Sequence, residues 1–443
     1  MSAKRLLHKI VYPLQEFIRA EAFSGVLLML ITLLALAWAN SPWAETYLNT
    51  WNTTLTLQLG DYGISKAAIL WINDGLMAIF FFVVGLEIKR EMLTGELSSF
   101  RSAAFPVMGA IGGMVVPAGI FMLLNQQLDT FDGWGIPMAT DIAFAIGILA
   151  LLGKRIPLSL KLFLVAYAIV DDIGAVLVIA LFYTSKLNLL SLWVALLVFG
   201  VLLILSAVRN RSILIYTLLG IIMWVAFLKS GVHATVAGIL LAITIPARSK
   251  LSEREFIDST DTILGELHAA HHAKHLGDGP DNEENFQAAV HTIEANCEEV
   301  MSPLHRLEHA LHPWVAFAIM PVFALANAGI LINAELTDGF SNPLTWGIIL
   351  GLVVGKPVGI VLFTVLASVT RIARKPAAYS WVQLIGVTFL GGIGFTMAIF
   401  IANLAFAESP FLPQAKLAIL CASLVAGVLG YLLLRFSGDK KVG

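Results

Sequence analysis

The stretch Ala168-Ile169-Val170-Asp171-Asp172-Ile173-Gly174-Ala175 places two adjacent carboxylates near the middle of an apolar run that extends from residue 158 to residue 183. A run of that length is typical of a helix that crosses a membrane, which needs about 20 mostly apolar residues. A charged side chain in hydrocarbon is costly, so it marks a buried partner, a cavity or an ion path. The stretch therefore predicts a membrane helix with a polar function at its centre.

The rest of the chain has the same character. It contains 443 residues, of which 58% are hydrophobic and 13% charged, whereas soluble domains carry about 25% charged residues. The sequence therefore predicts an all-α polytopic membrane protein, and its formal net charge of −2 argues against a nucleic-acid partner. We predict about twelve transmembrane spans, at residues 23–40, 67–88, 103–124, 134–152, 158–183, 190–208, 213–229, 231–247, 313–333, 342–370, 380–405 and 414–434.

The distribution of positive charge predicts the orientation. Most lysines and arginines fall on the side that holds both termini, which makes that side cytoplasmic. The polar, histidine-rich segment 249–302 lies on this side, and we expect a partly disordered insertion that divides the transport domain into residues 1–248 and 303–443. A cleaved signal peptide is the alternative at the N-terminus, but the apolar run 23–39 is too long for one. We expect an interfacial helix over Lys4–Ala20 instead.

One connection has a strand pattern. Thr54–Leu59 alternates polar and apolar residues and then meets Gly60-Asp61-Tyr62-Gly63. This pattern predicts a short β-hairpin on the outer face, between the first two spans.

Four charged residues fall near the middle of predicted spans: Asp141, Asp171, Asp172 and Lys356. They could be structural ion pairs between helices, or they could bind ions. Neighbouring helical residues point about 100° apart, so one of the adjacent aspartates can pair with Lys356 while the other faces a water-filled cavity. A carboxylate that binds either a proton or a small cation provides the minimal chemistry of an exchanger.

Two of these spans are interrupted by backbone breakers. Gly133, Gly135 and Pro137 precede Ala139-Thr140-Asp141, and Gly391-Gly392-Ile393-Gly394 interrupts the eleventh span. Unwound backbone at membrane depth is tolerated where it lines a cavity. Because spans three to five and ten to twelve each have the break in the middle helix, we expect an inverted repeat. Glycine-mediated helix packing is the alternative for the second break.

Several motifs together resemble the NhaA family of sodium/proton antiporters. The matching stretches are Trp71-Ile72-Asn73-Asp74-Gly75-Leu76-Met77-Ala78, Val84-Gly85-Leu86-Glu87-Ile88-Lys89-Arg90-Glu91, Ala139-Thr140-Asp141-Ile142-Ala143-Phe144-Ala145, Ala168–Ala175, Lys229-Ser230-Gly231-Val232-His233-Ala234-Thr235, Gly355-Lys356-Pro357-Val358-Gly359-Ile360 and Gly392-Ile393-Gly394-Phe395-Thr396-Met397. The resemblance implies inverted repeats whose two broken helices cross at mid-membrane. It also implies electrogenic, pH-regulated export of Na+ or Li+ for more than one H+, which serves sodium and pH homeostasis. The implied location is the bacterial inner membrane, as a homodimer joined through the 54–63 hairpin.

The resemblance also assigns roles to residues. Asp172 matches the position of the family's principal cation and proton site, and Asp171 lies beside it. The resemblance also gives the groups that balance the charge of the crossed helix ends, which are Asp141, Lys356 and Thr140. In this resemblance Lys356 pairs with Asp171. Whether Lys356 is a static partner or a proton carrier stays open. Residues at positions linked to pH sensing are Glu87, Arg90, Glu91, His233, Glu308 and His309. The insertion 249–302 departs from the family's compact loop.

Three motifs predict chemistry that we discount. Gly351-Leu352-Val353-Val354-Gly355-Lys356-Pro357 resembles a phosphate loop, but its glycine spacing is one residue short and no Ser or Thr follows the lysine. His305-Arg306-Leu307-Glu308-His309 matches a zinc-peptidase pattern without an obvious third ligand. A third pattern, four histidines at helical spacing, is better read as a solvated face than as a metal site: His268, His271, His272 and His275. We therefore expect no cofactor, no enzyme activity and no drive from ATP.

Two other function classes also have buried charges in membrane helices. An intramembrane aspartyl protease would need opposed aspartates and a Gly-x-Gly-Asp motif, which is absent from the sequence. A passive cation channel would share the buried charges but give uncoupled current. The two cysteines, Cys297 and Cys421, cannot build a disulfide framework.

Overall fold

A computed structural model describes residues 23–59, 62–126, 128–184, 187–275, 281–332, 342–407 and 409–437. The predicted interfacial helix Lys4–Ala20, both chain termini and the turn residues Gly60 and Asp61 lie outside the described residues.

The described chain is almost entirely helical, with one two-stranded sheet. Its elements, in order, are α1 (Phe23–Ala39), α2 (Ala44–Asn52), β1 (Thr54–Leu59), β2 (Tyr62–Ala67), α3 (Ala68–Thr94), α4 (Phe100–Leu124), a 3-10 helix (Phe131–Met138), α5 (Ile142–Leu151), α6 (Leu158–Phe182), α7 (Leu189–Ala207), α8 (Ile213–Ser230), α9 (Thr235–Thr244), α10 (Glu253–His275), α11 (Asp281–Val300), α12 (Pro303–Asn327), α13 (Pro343–Val369), α14 (Trp381–Gly391), α15 (Phe395–Ala405) and α16 (Leu412–Phe436). Single π-turns interrupt α3, α12 and α13.

The fold class predicted from the sequence is confirmed. Among the described residues, nine helices are long and apolar enough to cross a membrane, or up to eleven if each bent pair counts as one span. The bent pairs are α1 with α2, at 110°, and α14 with α15, at 42°. The predicted eighth span is only the ten-residue α9, which is about 15 Å long and too short to cross alone. This helix accounts for the difference from the predicted twelve.

The predicted hairpin is present and gives the molecule two distinguishable faces. Strands β1 and β2 pair antiparallel, with Thr54 opposite Ala67 and Leu57 opposite Ile64. Strand β2 runs directly into α3, so we call this end of the molecule the hairpin face. The far end of α3 is the insertion face, because Lys89 donates hydrogen bonds to the carbonyls of Ile243 and Ile245, just before the insertion begins.

The described residues of the insertion form two helices, and residues 276–280 between them lie outside the described residues, so the predicted partial disorder stays a prediction there. Helices α10 and α11 pack against each other, and Asn296 Nδ2 donates to Ser259 Oγ at 2.8 Å. An ion pair between Lys250 and Glu299 closes the base of this pair. The Ser252 amide and hydroxyl both donate to Glu255 at the start of α10, which holds the pKa of that carboxyl below its ordinary value.

Most of the membrane part consists of two groups of helices. Helices α4–α6 and α13–α16 each contain an interrupted middle helix, as an inverted repeat requires, and we call these together the repeat bundle. A close crossing in it joins α4 and α13 at Gly112 and Gly359, where a Cβ on either residue would lie 2.1 Å from the other's carbonyl oxygen. Helices α3, α7–α9 and α12 flank this bundle, and a separate small apolar core joins them.

Candidate functional site

The two interrupted helices cross each other at their breaks. Residues Ala139-Thr140-Asp141 separate the 3-10 helix from α5, and Gly392-Ile393-Gly394 separates α14 from α15. The Asp141 amide donates to the Ile393 carbonyl at 2.7 Å, and Thr140 Oγ1 donates to the Gly391 carbonyl at 2.7 Å. Backbone groups that a continuous helix would satisfy internally are thus satisfied across the crossing.

Asp141 lies between two helix N-termini. Its Oδ1 caps α5 by accepting from the Phe144 amide at 3.0 Å, and its Oδ2 accepts from the Thr396 amide at 3.2 Å and from the Thr396 hydroxyl. A helix N-terminus carries a partial positive charge, so one carboxylate offsets two such ends here.

Lys356 and Asp171 form a fully buried ion pair. Lys356 Nζ lies 2.7 Å from Asp171 Oδ2, and neither side chain is exposed to any extent. The ammonium also donates to the Thr140 hydroxyl and lies 5.7 Å from the centroid of the Tyr167 ring. Thr140 in turn donates to the last turn of α14, so the ammonium lies close to a helix C-terminus, where positive charge is favoured.

Asp172 points elsewhere, as the 100° rotation between neighbours requires. It lines a cavity of about 50 Å³, which has room for a small cation or a few waters. The polar residues on the cavity wall include three carboxylates, from α6, the break before α5 and α3, and one hydroxyl that Lys356 also contacts: Asp172, Asp141, Glu87 and Thr140. Carboxylate and hydroxyl oxygens are ligands that suit hard cations, so the cavity can take a proton or a small cation.

A charged cluster lies on the insertion side of this cavity. Arg90 pairs with Glu308 at 2.6 Å and with Glu91 at 2.9 Å, and Glu87, one turn earlier on α3, lines the cavity itself. Four of the six residues expected at pH-sensing positions therefore lie together on the insertion side of the cavity: Glu87, Arg90, Glu91 and Glu308. His309 is exposed on α12 beside them.

His233 lies at the opposite end of the molecule. It sits between α8 and α9 and interacts electrostatically with Asp74, which forms a 2.7 Å ion pair with Lys66 of the hairpin. The family resemblance groups His233 with the other pH-linked positions, whereas the structure separates it from them by most of the length of α3.

The structure also bears on the discounted metal motifs. Among the described residues, neither histidine pattern brings three or more His, Cys, Asp or Glu side chains together in a way that could hold a metal ion. Glu308 of the zinc-peptidase pattern turns toward Arg90, while His305 is exposed. The side chains of His271, His272 and His275 lie outside the described residues.

Sequence reasoning missed several polar partners at the crossing. Thr396 binds Asp141 with two groups, Tyr167 lies against Lys356, and Ser423 Oγ accepts from the first amide of α15 at 3.1 Å. Thr396 falls inside one of the quoted motifs and so carried a signal. Nothing in the sequence marks Ser423, one of many small polar residues in apolar helices.

The chain is similar to sodium/proton antiporters over nearly its whole length. The family model described as "Na+/H+ antiporter 1" matches residues 15–434. A protein named Na(+)/H(+) antiporter NhaA from Oleidesulfovibrio alaskensis is 51% identical over 98% of this chain and 96% of its own length. The Koribacter versatilis protein of the same name is 48% identical over 96% of this chain and 91% of its own length. Na(+)/H(+) antiporter NhaA 2 from Syntrophotalea carbinolica is 45% identical over 97% of each chain.

Proposed function

The chain belongs to the Na+/H+ antiporter 1 family, and from that membership we infer that it exports Na+ or Li+ across a bacterial inner membrane in exchange for H+. The orientation that we propose, from the positive charge of the connections, makes the insertion face cytoplasmic. The exchange would serve sodium and pH homeostasis.

The assignment of roles rests on one observation, which is that the two adjacent aspartates have different surroundings. Asp171 is bound to Lys356, whereas Asp172 faces the cavity. We therefore assign the transported cation and proton to Asp172, with Asp171 as its neighbour. Binding of a cation displaces the proton from the same carboxylate, so the two ions alternate at one site. Alternating access of that site to the two faces then gives exchange.

Asp141, Thr140 and Lys356 are proposed to hold the crossing in place. Asp141 offsets the N-termini of α5 and α15, and Lys356 offsets the opposite helix ends. The contacts of Lys356 with Asp171, the Thr140 hydroxyl and the Tyr167 ring favour a static partner over a proton carrier.

We further propose that more than one proton moves per cation. Each net charge would then couple exchange to the membrane potential at about 2.3 kcal/mol per 100 mV. This coupling would allow sodium export when external protons are scarce.

The proposed pH response belongs to the cluster on the insertion side. Glu87 connects it to the cavity, and the Arg90–Glu308 pair joins α3 to α12. Glu91, His309 and, from the hairpin face, His233 complete the proposed sensing residues. Loss of the Arg90–Glu308 pair would alter the packing of α3 and α12, two helices that line the cavity.

A homodimer is proposed through the hairpin 54–63. Leu57 of β1 is 71% exposed, and a two-stranded sheet leaves both of its edges unpaired. Edge pairing between two protomers would cover both features.

The decisive experiment is exchange by Asp172→Asn in proteoliposomes. The amide keeps the shape of the side chain but can neither release a proton nor offer a full charge to Na+. We expect no Na+-dependent proton movement from the folded variant, and wild-type exchange from the control Asp258→Asn, an exposed carboxylate of the insertion. Exchange retained by Asp172→Asn would reject this site, and sodium flux by the wild type without proton movement would indicate a channel.

A further inference from the structure

Three asparagines from three helices form a hydrogen-bonded cluster that the ion site does not use. We call Asn73 on α3, Asn327 on α12 and Asn403 on α15 the amide triad. Asn327 Nδ2 donates to Asn73 Oδ1 at 2.9 Å, and Asn403 Nδ2 donates to Asn327 Oδ1 at 2.7 Å. Asn327 is 1% exposed and also donates to the Phe323 carbonyl at 3.1 Å, so its amide is fully engaged.

The amide triad lies toward the hairpin face. Asn73 is 14 residues before Glu87 on α3, which corresponds to about 20 Å along the helix. Glu87 is at the insertion side of the cavity, and Asn73 is close to the hairpin. The triad and the charged cluster are therefore at opposite ends of the path through Asp172.

An aromatic layer lies between the amide triad and the cavity. Phe323 and Phe400 are one helical turn before Asn327 and Asn403, with ring centroids 6.2 Å apart, and Phe81 lies 5.5 Å from Phe400. All three rings are essentially without exposure. Phe80, whose ring contacts Phe81 at 5.1 Å, is part of the cavity wall. Starting from Asp172, the path toward the hairpin face thus meets an apolar layer and then a layer of amides.

The amide triad and the aromatic layer each contain residues from both the repeat bundle and the flanking helices. Asn403 and Phe400 belong to the repeat bundle, whereas Asn73, Phe81, Asn327 and Phe323 belong to the flanking helices. Movement of one group of helices against the other is the usual way for a transporter site to change sides. Such movement would separate both layers at once.

We propose that the amide triad and the aromatic layer together form the closure of the ion path on the hairpin face, and that they part when Asp172 becomes accessible from that face. Neutral amides suit a contact that breaks and re-forms, because water replaces their hydrogen bonds at little net cost, whereas a buried ion pair would have to be separated and hydrated. The closely packed rings exclude water and ions while the closure is intact. This inference rests on the proposed exchange function, but its test does not depend on transport.

The test measures access from the hairpin face to a thiol at Met320, which lines the cavity. Met320→Cys is introduced with Cys297→Ser and Cys421→Ala, and vesicles of one orientation receive a small, impermeant, cationic methanethiosulfonate on the hairpin side only. We expect Asn403→Ala and Asn327→Ala to raise the labelling rate by about two- to tenfold, the factor that corresponds to one net hydrogen bond. Asn403→Ser, whose side chain is too short to reach Asn327, should act in the same direction and is the milder variant for folding.

The matched control is Asn125→Ala. Asn125 is also a fully buried asparagine, and it binds the Phe121 and Pro343 carbonyls and the Thr130 hydroxyl, so its partners stay within the repeat bundle and its connecting loop. It should lose stability without faster labelling. Unchanged labelling in folded Asn403 variants, or an equal increase with Asn125→Ala, would overturn the proposal. Exchange measured separately on the same proteins keeps a failure of the proposed function distinct from a failure of the closure.

Discussion

The buried pair of Lys356 and Asp171 allows a quantitative test of what holds the crossing together. At 2.7 Å and an effective dielectric constant near 20, the attraction between the two charges is about 6 kcal/mol before the cost of desolvation. Lys356→Met removes one charge and leaves the other buried without its partner. We expect this variant to lose about 3–5 kcal/mol of folding free energy.

Removing both charges should cost less than removing one. Asp171→Asn combined with Lys356→Met leaves no unpaired charge, so the double variant should be more stable than Lys356→Met alone by about 2 kcal/mol. Unfolding in detergent, followed through the ten tryptophans, measures all the variants on one scale.

Lys416 provides the control for burial alone. It is 9% exposed on α16, and the structure gives it no ion-pair partner among the residues it describes. Lys416→Met should therefore be neutral or stabilising, since it removes a desolvated charge without leaving another. A double variant no more stable than Lys356→Met, or a Lys416→Met variant that loses as much stability, would refute the reasoning.

Three further predictions concern transport and assembly. Lys356→Arg introduces a side chain that stays protonated at any working pH. If Lys356 is a static partner, exchange by this variant should remain sensitive to membrane potential in a dye assay. Lost electrogenicity at unchanged stability would make Lys356 a proton carrier. Deleting residues 54–63 should reduce the dimer fraction in mild detergent with little loss of exchange per protomer, and an unchanged dimer fraction would exclude the hairpin as the interface. Shortening 249–302 to a brief linker should shift the pH at which exchange begins but keep the ion preference, because only two residues separate α11 from α12, the helix that carries Glu308; an identical pH profile would give the insertion another role.

The sequence was most informative where local pattern decides the structure. Run length located the spans, and alternation located the hairpin. Because the two aspartates are adjacent on a helix, the sequence predicted that one of them points away from Lys356. In the structure Asp171 pairs with the lysine and Asp172 lines the cavity. Composition was less reliable for the described part of the insertion, which forms two helices packed on each other with most of its described polar side chains exposed.

Partners that are distant in the chain could not be predicted. Thr396 binds Asp141 across 255 positions, and Asn327 binds Asn73 across 254. Each of these residues is by itself an ordinary polar residue in an apolar helix, and only the packing of helices gives it a partner. The separation of His233 from the Arg90 cluster has the same origin, because the two lie near opposite ends of α3.

The contact between Gly112 and Gly359 limits how this protein can vary. At each position an added methyl group would lie 2.1 Å from the other residue's carbonyl oxygen and under 3 Å from the Cβ atom of Phe363 or Val116, and none of these atoms can rotate aside. A larger residue at one position therefore cannot be compensated by a smaller one at the other, since glycine already has no side chain. In a mutational scan the two positions should be equally intolerant, and suppressors should be found in helices that let α4 and α13 move apart, never in the glycine pair itself.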